Sequence, residues 1–117
     1  MMKNDLIGRT KVFAHSCIKL SLTLLNNYLG NHIKGQLIRC STSVAANCRA
    51  VCLSQSKASL ISKISIVIEE ADEAEFWLEF INDENLIPDD GVNSLKTEAH
   101  ELASIFIASR KTAERNK

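Results

Sequence analysis

The chain has 117 residues, 45% hydrophobic and 24% charged, with fourteen Lys/Arg balanced by fourteen Asp/Glu. That size and balance fit a single globular domain spanning residues 1–117, and they exclude a polycation drawn to nucleic acid by net charge. The zero net charge hides a division. Residues 1–63 hold nine basic residues against one acid, Asp5, formally +8, whereas residues 64–117 hold five against thirteen, formally −8. The two halves are expected to neutralise each other within or between subunits, with contact between the basic half and a polyanion as the alternative.

One proline, four glycines and few aromatics among abundant Leu, Ile, Ala, Glu and Lys point to an all-α protein. The opening MMKNDLIGRTK lacks the apolar core and small-residue cleavage site of a secretory signal. Uninterrupted apolar runs such as Ile66-Val67-Ile68 are far too short to span a bilayer. A cytoplasmic location is expected, with no membrane partner and with Cys17, Cys40, Cys48 and Cys52 as reduced thiols.

The first predicted helix runs from about Asp5 or Thr10 to Leu29, with Phe13, Cys17, Leu20, Leu24 and Tyr28 recurring at three- and four-residue steps. The glycines of GNHIKG (Gly30, Gly35) are expected to end it. The second helix spans about Lys34 to Leu53. Ser54 or Ser56 offers the next N-cap, and the third helix runs from about Lys57 to Asn82. A connection at residues 85–91, containing Pro88, Asp89 and Asp90, precedes a fourth helix from about Asp90 to Ala113. Inward seams are plain on the last two: Leu60, Ile64, Val67, Ala71, Ala74, Leu78 and Ile81, then Val92, Leu95, Ala99, Leu102, Phe106, Ser109 and Ala113. Short loops make neighbouring helices antiparallel, which gives an up-down-up-down four-helix bundle.

The second helix is unusual. In LIRCSTSVAANCRAV, residues 37–51, the residues Leu37, Cys40, Ser41, Val44, Ala45, Cys48, Val51 and Cys52 share a face roughly 140° wide. The opposite face, Arg39, Thr42, Ser43, Ala46, Arg49, Ala50 and Leu53, is small and mixed, with no glutamate. Such a face lets another helix approach closely, and its hydroxyls can bond to their own backbone. Ile61, Ile66, Ile68, Phe76, Trp77 and Phe80 add apolar bulk away from the primary seam of the third helix. Surplus apolar surface of this kind indicates oligomerisation.

The runs LIRCSTSVAANCRA and SKASLISKISIVIEEADEAEFWLEFI resemble the four-helix-bundle family named for reading frames in intervening sequences of bacterial large-subunit ribosomal RNA genes, often labelled "ribosomal protein". One block is Arg39, Thr42, Ser43, Val44, Ala45, Ala46 and Asn47; the other is Glu70, Ala71, Glu73, Phe76, Trp77 and Leu78. Two positions depart from the pattern: Ala50 where an acidic residue is frequent, and Cys48 where an aromatic is frequent. The resemblance implies a ring-like homo-oligomer, a pentamer of four-helix bundles. It also implies kinship with the accessory proteins of diversity-generating retroelements, which partner a reverse transcriptase and bind nucleic acid on a basic surface.

Candidate sites follow from residue chemistry. Arg39, Ser43, Asn47, Glu70, Glu73 and Trp77 are read as a polar network at a helix or subunit contact, since a buried glutamate needs a partner and Arg39 is the obvious one. Lys3, Arg9, Lys11, Lys19, Arg110 and Lys111 are the candidates for contact with a polyanion. Cys40, Cys48 and Cys52 form an i, i+4 stripe with Val44, without a Cys-x-x-Cys pair or nearby histidine, so core packing is expected rather than a metal site. His15, His32 and His100 share no motif, and the acids of IEEADEAEFWLE mostly face outward. No catalytic group, cofactor or metal is expected. The resulting reading is a non-enzymatic homo-oligomeric adaptor or scaffold that partners itself and at most weakly a nucleic acid or protein. The alternatives are an RNA- or DNA-binding accessory protein and a small-molecule or metal-binding bundle.

Overall fold

The computed structural model describes residues 2–88 and 91–116, with side chains from residue 5 onward. Four helices follow in order: α1 Met2–Ser21, α2 Tyr28–Cys52, α3 Lys57–Asp83 and α4 Gly91–Arg115, and there is no strand among the described residues. Each helix packs on its neighbours in sequence, and α4 closes on α1, giving a rod of 49 × 20 × 19 Å. The inward seams of α3 and α4 lie where periodicity puts them. Ile64, Val67, Ala71, Ala74, Leu78 and Ile81 face Val92, Ala99, Leu102 and Phe106 in one continuous core. The fully buried Ala71, Ala74 and Ala99 allow close approach of α3 and α4, the most closely packed pair.

The first break differs from the one expected. α1 ends at Ser21, six residues are turn or irregular, and GNHIKG lies wholly inside α2. The cause is Asn27. Its backbone is extended (φ −144°, ψ 179°), and its Oδ1 accepts the Gly30 amide at 2.8 Å, a side-chain N-cap. Gly30 is needed for closeness rather than for termination, because a Cβ there would lie 2.1 Å from the Leu25 carbonyl oxygen. Gly35 sits on the exposed side of α2 with open space around it. Tyr28, placed by periodicity on the inner face of the first helix, is instead the first residue of α2 and 91% exposed. Leu24 leaves α1 but still plugs the core from the connecting turn.

The other connections follow local chemistry. Ser56 caps α3 by accepting the Ser59 amide at 3.1 Å. At the far end Asn85 takes the left-handed conformation (φ 53°). Leu86 N–H donates to Ile81 O and Asn85 N–H to Asn82 O, which is the Schellman pairing. Asparagine tolerates that conformation better than most residues, so the helix stops without a glycine. The expected loop acids Asp89 and Asp90 lie outside the described residues.

Candidate functional site

The opening turns of α2 and the second half of α3 form the most organised polar and aromatic surface. Glu70 and Glu73 are three residues apart on α3, so both carboxylates rise on the side facing α2. Arg39 reaches across: Nη1 donates to both oxygens of Glu70 at 3.2 Å, and Nη2 donates to Glu73. Its Nε donates to Gln36 Oε1 at 3.3 Å. One turn beyond Glu73, the Trp77 indole N–H donates to Glu73 Oε2 at 3.1 Å. The Arg39 hydrogen bond, followed by that of Trp77, holds the Glu73 carboxyl below its ordinary range, and Glu73 in turn raises the already high pKa of Arg39. All three charges are only partly covered, with Arg39 47% exposed. The cluster is a surface clasp between α2 and α3, and its groups satisfy one another rather than converging on an empty space.

Aromatic rings continue from this clasp. His32 of α2 meets Trp77 edge-on at 5.4 Å, and Phe76 makes edge contacts at 5.0 Å with both Trp77 and Phe80. Phe76 and Phe80 stay 47% and 37% exposed. Ser43 and Asn47, expected in the same network, form a separate pair: Asn47 Nδ2 donates to the Ser43 carbonyl at 3.0 Å and to its Oγ at 3.1 Å. Thr42 Oγ1 donates back to Ile38 O at 2.7 Å, so this hydroxyl needs no external acceptor. Of the six residues read as a network, the structure brings four side chains together (Arg39, Glu70, Glu73, Trp77). His32 and Gln36 join them unforeseen: His32 lies before the expected start of the second helix at about Lys34, whereas Gln36 was legible as the i, i+3 neighbour of Arg39.

The candidate polyanion contacts do not form one patch. Arg9 is occupied by α4: its Nε and Nη2 donate to the two Glu98 oxygens at 2.7 and 2.8 Å, and Nη2 also reaches Glu101 at 2.8 Å. This bidentate clamp closes α1 on α4 and withdraws Arg9 from the free cations; the only hint of it in sequence is the i, i+3 spacing of Glu98 and Glu101. Arg110 is half-buried and donates to Ser65 Oγ at 3.3 Å. Lys11, Lys19 and Lys111 are exposed, and the side chain of Lys3 lies outside the described residues.

Cys17, Cys40 and Cys48 are buried in the core and Cys52 is half-buried. Desolvation pushes the Cys17 and Cys40 thiols up to about 12, and that of Cys48 upward as well. These are protonated packing groups at neutral pH, poor as nucleophiles or metal ligands. Among the described residues no group of three or more His, Cys, Asp or Glu is arranged to hold a metal ion, and no helix is long and apolar enough to cross a membrane. Two open grooves of similar size flank α4: one of about 510 Å³ against α1, lined by Ser16, Lys19, Leu20 and Leu95 among others, and one of about 520 Å³ lined by Glu75, Lys96 and His100 among others.

The family model of the 23S rRNA-intervening sequence protein matches residues 2–108. The chain belongs to this family. A solved member of the S23 ribosomal protein family from Bacteroides thetaiotaomicron VPI-5482, described as a protein of unknown function, is 28% identical to it. Their folds superpose with a TM-score of 0.84, over 95% of this chain and 99% of the other. No curated protein matches. The matched span includes both the Arg39–Asn47 block and the Glu70–Leu78 block, and so the clasp.

Proposed function

We propose that this intervening-sequence family protein is a non-enzymatic cytoplasmic scaffold whose bundles assemble into a ring and present a repeated surface to a partner. The observation that carries this reading is the aromatic ridge of α3, where Phe76 and Phe80 remain exposed although the bundle core is complete without them. Exposed aromatics beside a rigid, internally satisfied clasp are what a protein interface supplies, because aromatic side chains bring large contact area at small entropic cost. The absence of catalysis in this reading rests on the polar groups: the two carboxylates and the single arginine of the clasp saturate each other. Five subunits is what the family resemblance implies.

Multi-angle light scattering at micromolar concentration tests the assembly. A ring of five gives about 65 kDa, five times the 13.0 kDa chain, and a mass of one chain would end the scaffold reading. A second reading, nucleic-acid binding, is favoured by the exposed Lys11 and Lys19 on α1 and by the family's link to ribosomal RNA genes. Counterion release makes such binding steeply salt-dependent. With Arg9 occupied by Glu98 and Glu101, binding is expected to be weak, unspecific and lost near physiological salt. Fluorescence anisotropy with a short labelled RNA measures this, and tight binding that survives physiological salt would move the nucleic-acid reading to first place.

A further inference from the structure

Resting on the scaffold reading, which makes the aromatic ridge of α3 a partner-facing surface, we infer that this ridge docks an arginine-rich, partly apolar segment of another protein.

Sequence spacing builds the face. At 100° per residue, Glu69, Asp72, Phe76, Glu79, Phe80 and Asp83 fall within a sector about 100° wide. That sector lies opposite the buried seam of Ala71, Ala74 and Leu78, and all six residues are exposed. Carboxylates and rings therefore share one ridge along the rod. The two rings brace each other edge-on at 5.0 Å, so the apolar part of the ridge is held in place without a partner.

Charge selects the chemistry of the occupant. Between residues 69 and 83 the chain has seven acids and no base. Glu70 and Glu73 are taken by Arg39, and Glu75 meets His100 at 3.5 Å. Glu69, Asp72, Glu79 and Asp83 have no ion-pair partner among the described residues. Four uncompensated carboxylates repel RNA and anionic lipid and attract a cationic chain. The rings between them favour arginine over lysine, because a guanidinium stacks on an aromatic face while its N–H fork bonds a carboxylate. A recess of about 320 Å³ offers such a group a seat, lined by Asp72, Glu75, Phe76, Glu79 and His100.

Size and charge density separate a peptide segment from a second copy of the bundle. The ridge from residue 69 to 83 is about 21 Å long, and a strip one helix wide covers about 200 Å². A stable interface between globular partners takes about 800 Å² from each. The chain's own surface also matches poorly. Among the described residues, no helix exposes more than two Lys/Arg outside an ion pair: Lys11 and Lys19 on α1, Arg49 on α2, Lys57 on α3, Lys111 and Arg115 on α4. Four free acids call for a denser cation.

The test measures binding to the full-length protein, by fluorescence anisotropy, of a dye-labelled peptide of about 15 residues, which as a helix matches the ridge in length. It is built of arginine, leucine and alanine, with arginine at every third or fourth position. Wild type is expected to bind it, and to bind the lysine-for-arginine version about tenfold more weakly. Phe76→Ala/Phe80→Ala leaves the charge unchanged and is expected to weaken binding about tenfold or more, as is Asp72→Asn/Glu79→Gln. Glu114→Gln removes an acid at the opposite end of the rod and should leave the affinity unchanged. Circular dichroism verifies folding, and the single variants Phe76→Leu and Asp72→Asn repeat the test if a double variant does not fold. No binding of the arginine peptide, or equal affinity of wild type and Phe76→Ala/Phe80→Ala, overturns the docking face. So does light scattering in which a wild-type assembly falls to 13.0 kDa in Phe76→Ala/Phe80→Ala, because a second copy then covers the ridge. A monomeric wild type that binds the peptide through Phe76 supports the docking face and removes only the ring.

Discussion

At the scale of single residues, the Arg39–Glu70–Glu73–Trp77 clasp is positional more than energetic. Partly exposed ion pairs contribute roughly 0–1 kcal/mol, so its role is to fix the register of α2 against α3. Glu73→Gln is expected to lower stability by less than about 1 kcal/mol. The pH dependence has a definite sign. The folded carboxyl of Glu73 titrates below its ordinary value of 4.5, so its contribution is present above that value and lost as pH falls through the lower, folded value. Urea titrations of wild type and Glu73→Gln should therefore differ at neutral pH and converge in strong acid. Equal stabilities at pH 7 would remove the clasp from the account. The thiols make a second prediction at this scale. Cys17, Cys40 and Cys48 are buried and their thiols are held protonated, so a thiol-specific reagent at pH 8 should label at most one cysteine per native chain, Cys52, and all four in denaturant. Rapid labelling of two or more in the native protein would show a core looser than the one described.

Among the elements, α2 is the most consequential, and its two glycines should respond in opposite ways. Gly30→Ala drives a Cβ against the Leu25 carbonyl, a backbone atom that cannot swing aside, and overpacking of this sort costs about 1–3 kcal/mol. Gly35→Ala meets open space and should stabilise the isolated bundle by about 1 kcal/mol. Denaturant midpoints of the two variants check the pair; a Gly30→Ala protein as stable as wild type would mean that the α1–α2 turn can move. If α2 is an interface, Gly35→Ala should also weaken assembly while strengthening the fold. The cap at Asn27 completes the same element, and its interaction with Gly30 explains why two glycines that read as punctuation are part of a helix.

For the whole molecule, the division of charge along the chain becomes a division in space. The basic α2 lies beside the acidic half of α3, and one clasp joins them while Arg49 of α2 and Glu69, Asp72 and Glu79 of α3 stay exposed. Subunits that associate stabilise the folded state by mass action. The melting temperature should accordingly rise with protein concentration. Calorimetry across a hundredfold range of concentration decides it. A wild-type melting temperature independent of concentration would argue against assembly coupled to folding.

Periodicity alone was enough for four helices, an all-α bundle and the seams of α3 and α4, because the spacing of Ile64, Val67, Ala71, Ala74, Leu78 and Ile81 is a local property that burial can satisfy in only one way. The pairing of Arg39 with Glu70 and Glu73 was also legible, since few partners exist for an arginine on an otherwise acid-free helix. The α1–α2 boundary was not. Gly30 and Gly35 break helices on propensity, but the N-cap from Asn27 and the close approach of Leu25 to Gly30 are contacts that exist only once the turn has formed. Arg9 shows the same limit at longer range. In the sequence it is a free cation near the start of a basic half, and only the closing of α4 onto α1 brings Glu98 and Glu101, some ninety residues away, within 3 Å of its guanidinium. Local pattern determined which residues turn inward; which outward charges remain available to a partner was decided by tertiary proximity, because an ion pair depends on distance in space and not on separation along the chain.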